Sequence, residues 1–231
     1  MSFAIGLQGN GSSYGSGSLA CAAFNVAAGE LIVVAASTRD RDTWCTGVTD
    51  TAGNSYTVRS AIINTDGNCT QVMAYCLSSA LQAGNIITCT YNNADNAGKQ
   101  VIAAAFTPDG GDTVSLDASA SAISGWEASP WETGTFTTTG NDEVGVAGVQ
   151  CGSNTLTYSN HEMPSGTAAV ALTGPGNGCD AWYKLFTSTQ SSIVAEIDPS
   201  ASQRYAMEVV CFKSVAAAGG LSIPIARRRG R

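Results

Sequence analysis

Charge is what this chain has least of. Asp, Glu, Lys and Arg make up 13% of its 231 residues, against roughly 25% in an average soluble domain, so uncharged Ser, Thr, Asn and Gly must cover much of its surface. Lys and Glu build exposed helix faces. Their scarcity beside plentiful Thr, Val, Ala and Gly disfavours long amphipathic helices and suits short strands joined by tight turns. Histidine occurs once, as His161 in Ser-Asn-His-Glu-Met-Pro, without the His-Glu-x-x-His spacing of a metalloprotease; the residue reads as part of a surface loop. No apolar run approaches the roughly 18 residues of a membrane span. The opening Met-Ser-Phe-Ala-Ile-Gly has neither a basic n-region nor an apolar h-region, so the expectation is no membrane partner and no signal peptide of its own. Basic residues are scarcer still on the body. Four of the eleven are Arg227, Arg228, Arg229 and Arg231, which leaves 7 basic against 18 acidic side chains before them. An acidic body lacks the basic patch that phosphate contacts need, which argues against nucleic acid as a partner.

What is present reads as strands. Runs of four to eight apolar or alternating residues, bounded by Gly, Asn, Asp and Ser, recur along the chain. Leu31 to Ala36 is apolar throughout, like a strand buried on both faces. Gln71 to Leu77 and Asn85 to Tyr91 look like the arms of a hairpin turning at Gln82-Ala83-Gly84, and Val101 to Phe106 follows. The second half repeats this order: Asn141 to Val149 answers residues 29 to 36, Asp180 to Phe186 with Ser192 to Ile197 answers the hairpin, and Tyr205 to Phe212 answers Val101 to Phe106. The fold class is therefore all-β, an antiparallel, jelly-roll-like sandwich. Residues 1 to 218 form the domain, with pseudo-repeats at about 20–110 and 130–216. Each half has one apolar face, and the two faces close on each other. Gly9 to Gly17 reads as a loop. Residues 219 to 231 form an extended tail in which Leu221, Ile223 and Ile225 alternate around Pro224 ahead of Arg227, Arg228 and Arg229. This pattern suits docking on another subunit, against the plainer reading of a solvated tail.

Candidate chemistry is thin. Gly11-Ser12-Ser13-Tyr14-Gly15 matches Gly-x-Ser-x-Gly, but it lacks the strand-to-helix elbow and the histidine partner that the motif needs. Trp126, Glu127, Trp131 and Glu132 pair two aromatics with two carboxylates, an arrangement suited to stacking on a sugar ring, to acid–base work, or merely to covering the core. Trp44, beside Arg39-Asp40-Arg41-Asp42, is a similar candidate. Asp50, Asn54, Asp66, Asn68, Asp109 and Asp112 put oxygen donors in turns, where such residues mostly cap their own backbone, and no calcium-loop spacing appears. No cofactor is expected. Eight cysteines, with no Cys-x-x-Cys pair, suggest disulfides. In the hairpin register Cys76 meets Cys89, although a slip of one residue would put them on opposite faces; Cys45 with Cys69, Cys151 with Cys179 and Cys21 with Cys211 follow from the proposed topology.

The segments Val26-Ala-Ala-Gly-Glu-Leu-Ile-Val-Val34, Val48-Thr-Asp-Thr-Ala-Gly-Asn-Ser-Tyr-Thr57, Ala83-Gly-Asn-Ile-Ile-Thr-Cys-Thr90 and Thr137-Thr-Thr-Gly-Asn-Asp-Glu-Val-Gly-Val146 come in an order that resembles β-sandwich proteins encoded in bacterial genomes and near the structural genes of tailed bacteriophages. The resemblance covers residues 20 to 216 and rests on turns rather than on catalytic residues; the cysteines depart from it. It implies a structural virion protein on the surface of a phage particle, either a capsid decoration protein or a tail or fibre component involved in host attachment. Such a protein is not an enzyme. It would contact other virion proteins and copies of itself, be made in the host cytoplasm, and lie outside the cell after lysis. The alternative is a cell-surface or glycan-binding module of the same fold, with a host glycan as partner; a hydrolase stands third.

Overall fold

The computed structural model describes residues 3–94, 97–108, 113–153, 155–172, 174–175 and 178–215. In the first half the strands are β1 (Phe3–Ser13), β2 (Ser18–Ala20), β3 (Phe24–Val26), β4 (Leu31–Thr38), β5 (Cys45–Asp50), β6 (Thr57–Val58), β7 (Ile62–Asn64), β8 (Cys69–Leu77), β9 (Gln82–Asn85), β10 (Ile87–Tyr91) and β11 (Lys99–Pro108). In the second they are β12 (Thr113–Ile123), β13 (Trp131–Glu132), β14 (Glu143–Cys151), β15 (Tyr158–Glu162), β16 (Val170–Ala171), β17 (Cys179–Phe186), β18 (Glu196–Pro199) and β19 (Tyr205–Val215). The large sheet of the first half runs β1-β11-β4-β8-β6, with β7 also on β8; that of the second runs β12-β19-β14-β17-β16. The small sheets run β2-β10-β5 and β13-β18-β15. The strands of these four sheets come in the same order in both halves, whereas β7 and the two-stranded sheet β3-β9 have no counterpart in the second; every pairing is antiparallel.

The layers stack differently from the simple closure of two halves. In β4 every residue is buried, and its alternate side chains enter two different cores. Ile32, Val34 and Ala36 pack with Val48, Ile87 and Cys89 of the small sheet. Leu31, Val33 and Ala35 pack instead with Val144, Val146, Val210 and Phe212 of the other half. The second large sheet repeats this, turning Ala147, Val149, Met207 and Val209 onto Trp131 and Ile197 of its own small sheet. Each half is thus a sandwich in itself, and the two stand back to back through their large sheets. Strands apolar on both faces need cover on both sides, which two layers cannot give to both large sheets at once.

Three local expectations change. β8 and β10 do not form a hairpin: β8 pairs with β4, β6 and β7, β10 pairs with β2 and β5, and the turn residues between them form β9, which pairs with β3. The chain crosses from one sheet to the other instead of turning within one. Gly9 to Ser13 belong to strand β1 rather than to a loop. A Cβ at Gly9 or Gly11 would lie 2.3 Å from the Ala22 carbonyl oxygen or 2.4 Å from that of Ala20, so the glycines let the next segment cross closely over the strand. His161 lies on β15, not on a surface loop.

Candidate functional site

The quoted turn motifs organise backbone. The Asp50 carboxylate accepts from the Asn54 N–H (2.9 Å), Asn54 Nδ2 (2.8 Å), the Tyr56 hydroxyl (2.9 Å) and Asn85 Nδ2 (3.1 Å). Burial alone would raise its pKa, yet these donors together hold it below the ordinary value. Donors already occupy the oxygens that a calcium ion would need. Asn68 accepts from the Arg41 N–H, Asp109 and Asp112 lie outside the described residues, and among the described residues no group of three or more His, Cys, Asp or Glu is placed to hold a metal. Two further carboxylates brace the entries to the central strands. Glu30 Oε2 takes the Ala27 N–H at 2.7 Å and its Oε1 the Thr107 hydroxyl at 2.7 Å. At the corresponding place Glu143 takes the Gly140 N–H. His161 Nε2 lies 2.9 Å from Asp180 Oδ2, and its ring stands edge-on to Trp182.

All eight cysteines are free, buried thiols, which corrects the proposed bridges. Cys76 and Cys89 share the first core but sit on strands of opposite sheets; the thiol beside Cys89 is Cys45. Cys45 lies in the first core, whereas Cys69 hydrogen-bonds the Gln150 carbonyl across the seam between the halves. Cys21 and Cys211 belong to the first and third cores. Cys151 and Cys179 are on paired strands but face different cores, as an offset of one residue requires. Burial pushes the Cys69, Cys76 and Cys179 thiols up to about 12, away from the thiolate that reaction requires.

The two tryptophans of the aromatic–acid segment part company. Trp131 is fully buried, stacked on Tyr205 with centroids 4.7 Å apart, and belongs to the third core, so it offers no face to a ligand. Trp126 is 64% exposed, with the Arg204 guanidinium 5.7 Å from its ring centroid. Glu127 and Glu132 are exposed, and the Tyr205 hydroxyl lies within 3.4 Å of Glu127 Oε2. Trp44 packs half-buried against the first core. Leu221, Ile223, Pro224, Ile225, Arg227, Arg228 and Arg229 lie outside the described residues.

One depression lies beside His161 and Asp180, and further concave surface lies along β12. Three depressions follow one another there, and neighbours share a lining residue. The first, of 200 Å³, is lined by Tyr75, Leu77, Val114, Leu116 and Phe212, and reaches Thr57. The second, of 410 Å³, runs from Thr57 past Arg59 and Glu208 to Ser121. The third, of 330 Å³, continues from Ser121 to Glu127, Pro130 and Glu132. Together they form a groove along β12, apolar at its start in the seam between the halves and acidic at its end, where the second half alone lines it. Glu208, 2% exposed at its side chain, pairs with Arg59 at 2.5 Å and accepts the Met73 N–H at 3.3 Å. Burial raises its pKa against the pull of Arg59. Asn64 clips the same seam, donating to the Ser124 and Tyr205 carbonyls at 2.7 and 2.8 Å. Neither Arg59 nor Glu208 stood out in the sequence, although a glutamate inside the apolar run Tyr205 to Phe212 was a signal that it needed a cation across an interface. Comparison with known protein families, with curated proteins and with solved structures finds no match to this chain.

Proposed function

We propose that this protein is an accessory structural component of a tailed-phage particle, a capsid decoration protein or a tail or fibre part, that works through surface contacts. One observation carries the reading: the polar residues of the turn motifs that resemble those virion proteins, Asp50, Asn54, Tyr56 and Asn85 foremost, are engaged in fixing the fold. Their place in the chain is architectural, which suits a body whose task is to present a surface. The assembly partners are other virion proteins and copies of the chain. A mass-spectrometric inventory of particles purified from a host that carries the gene tests this. The protein is expected in stoichiometric amounts; abundant protein in the lysate with none on the particles overturns the reading.

The exposed Trp126 ring, with Arg204 against it and Glu127 next in the chain, favours a second reading, a glycan-binding module. Glycan-array binding by the isolated protein that disappears in Trp126→Ala would move the assignment to it.

A further inference from the structure

We propose that the groove along β12 is the docking site for the chain's own C-terminal segment, residues 221 to 231, which straps the seam between the two halves. The inference stands on the groove and the sequence and does not depend on the virion reading. Three observations converge on it.

The first is position. β19 ends at Val215, paired with Thr113 at the start of β12, so the chain leaves the described body at the apolar mouth of the groove. The second is order. Along the groove come apolar Leu77, Val114, Leu116 and Phe212, and then, past the Arg59–Glu208 pair, exposed Glu127 and Glu132. Along the tail come Leu221, Ile223 and Ile225, and then Arg227, Arg228, Arg229 and Arg231. Laid beside β12 and running in its direction, the tail matches apolar to apolar and basic to acidic. The third is length. β12 spans 11 residues, about 36 Å, and the stretch from Leu221 to Arg231 extends to about 33 Å. Ala216 to Gly220 are small enough to make the turn, and Pro224 suits an extended segment held by its side chains.

The sequence alone pointed to a neighbouring subunit as the docking surface. Attachment at the mouth of the groove favours the same chain, because a short link holds the segment at an effective concentration on the order of millimolar, above that of any neighbour in dilute solution. Apolar burial supplies the affinity, and the arginines set direction and approach.

Hydrogen–deuterium exchange on the full chain and on a form ending at residue 218 tests the proposal. Removal of the tail should speed exchange in residues 55–62 and 113–124 and leave the interior of β4 unchanged. A synthetic peptide of residues 219–231, added to the shortened form, should restore protection. The same peptide with Ile223→Asp and Ile225→Asp should not; this variant leaves the folded body untouched. Glu127→Gln with Glu132→Gln should weaken the peptide about five-fold at low salt and little at high salt. Equal exchange with and without the tail overturns the proposal. So does protection that grows with concentration of the full chain, which would assign the tail to a neighbouring copy.

Discussion

Replacing Glu143 by Gln should stabilise this protein at slightly alkaline pH and leave it nearly unchanged in mild acid. The Glu143 side chain is buried at the first position of β14, with the residue 1% exposed. Its Oε1 accepts the Gly140 N–H, while Oε2 has no donor among the described residues. The groups facing it are Asp117 on the bulged part of β12 and Lys213 and Cys211 on β19. Lys213 Nζ is 2.7 Å from Asp117, which also takes the Thr139 N–H at 2.6 Å, so the cation and the donors favour Asp117. Burial, and then the charge of Asp117, push Glu143 from 4.5 up to about 7. A tenfold change in proton affinity is worth about 1.4 kcal/mol, so the rise amounts to about 3 kcal/mol. The pKa is raised in the folded state, so this stability is fully present below the unfolded value and is lost as pH rises through about 7. Asp117 is shifted down, and its contribution fades only in stronger acid; the Cys211 thiol is shifted up and stays neutral; Lys213 is shifted up and stays charged. Glu208, also raised, slopes the same way but cancels when variant and parent are compared. Urea unfolding of both at about pH 5 and about pH 8 should therefore give a variant-minus-parent difference that grows by about 2–3 kcal/mol. The same difference at both pH values would refute the raised pKa of Glu143 beside Asp117.

Asp50→Ala removes the acceptor of four hydrogen bonds and should cost about 2–4 kcal/mol in urea unfolding, with Asp50→Asn retaining part of the loss. Trp131→Ala should cost about 3–5 kcal/mol, whereas Trp126→Ala, at an exposed position, should stay within about 0.5 kcal/mol; equal effects would contradict their placement. Alkylation without reductant should modify all eight cysteines in denaturant and few of them in the native protein; a disulfide-linked peptide in a non-reducing map would contradict the free thiols.

The clearest strands in the sequence were those buried on both faces. Leu31 to Ala36, Val101 to Phe106 and Tyr205 to Phe212 all fall within β4, β11 and β19, because an unbroken apolar run has no other stable place in an all-β chain. The partners of strands were harder, since pairing is non-local. Gln82-Ala83-Gly84 has hairpin chemistry, and Gly84 does adopt φ +64°, but these residues sit within a short strand while the chain changes sheets. The bridge between Cys76 and Cys89 depended on that hairpin and fell with it. At the groove, only Glu127 and Glu132 were foreseen. Arg59 and Asn64 lie close together in the chain, but Glu208 is 149 residues beyond Arg59, and nothing near either end announces the other. Trp126 and Trp131 looked alike in sequence; what separates them is that Trp131 pairs with Ile197 in a strand of the third core, whereas Trp126 stays outside it.

The back-to-back arrangement makes the halves mutually dependent in a way that their matching strand order would not suggest. Either half, standing alone, would turn the middle core outward: Leu31, Val33, Met73, Ile102 and Phe106 from one side, Val144, Val146, Tyr183, Val210 and Phe212 from the other. Burying each large side chain of this kind is worth about 1.5–3 kcal/mol, so separation forfeits more than the about 5–15 kcal/mol that holds a typical domain together. The polar groups on the seam have the same dependence. Glu208 would lose Arg59, Asn64 would lose two carbonyls, and the Ser37 hydroxyl would lose the Cys179 sulfur 3.1 Å away. The described residues of both halves therefore pack around one continuous middle layer, and a segment laid in the groove beside that layer would close the side on which the seam is still open to water.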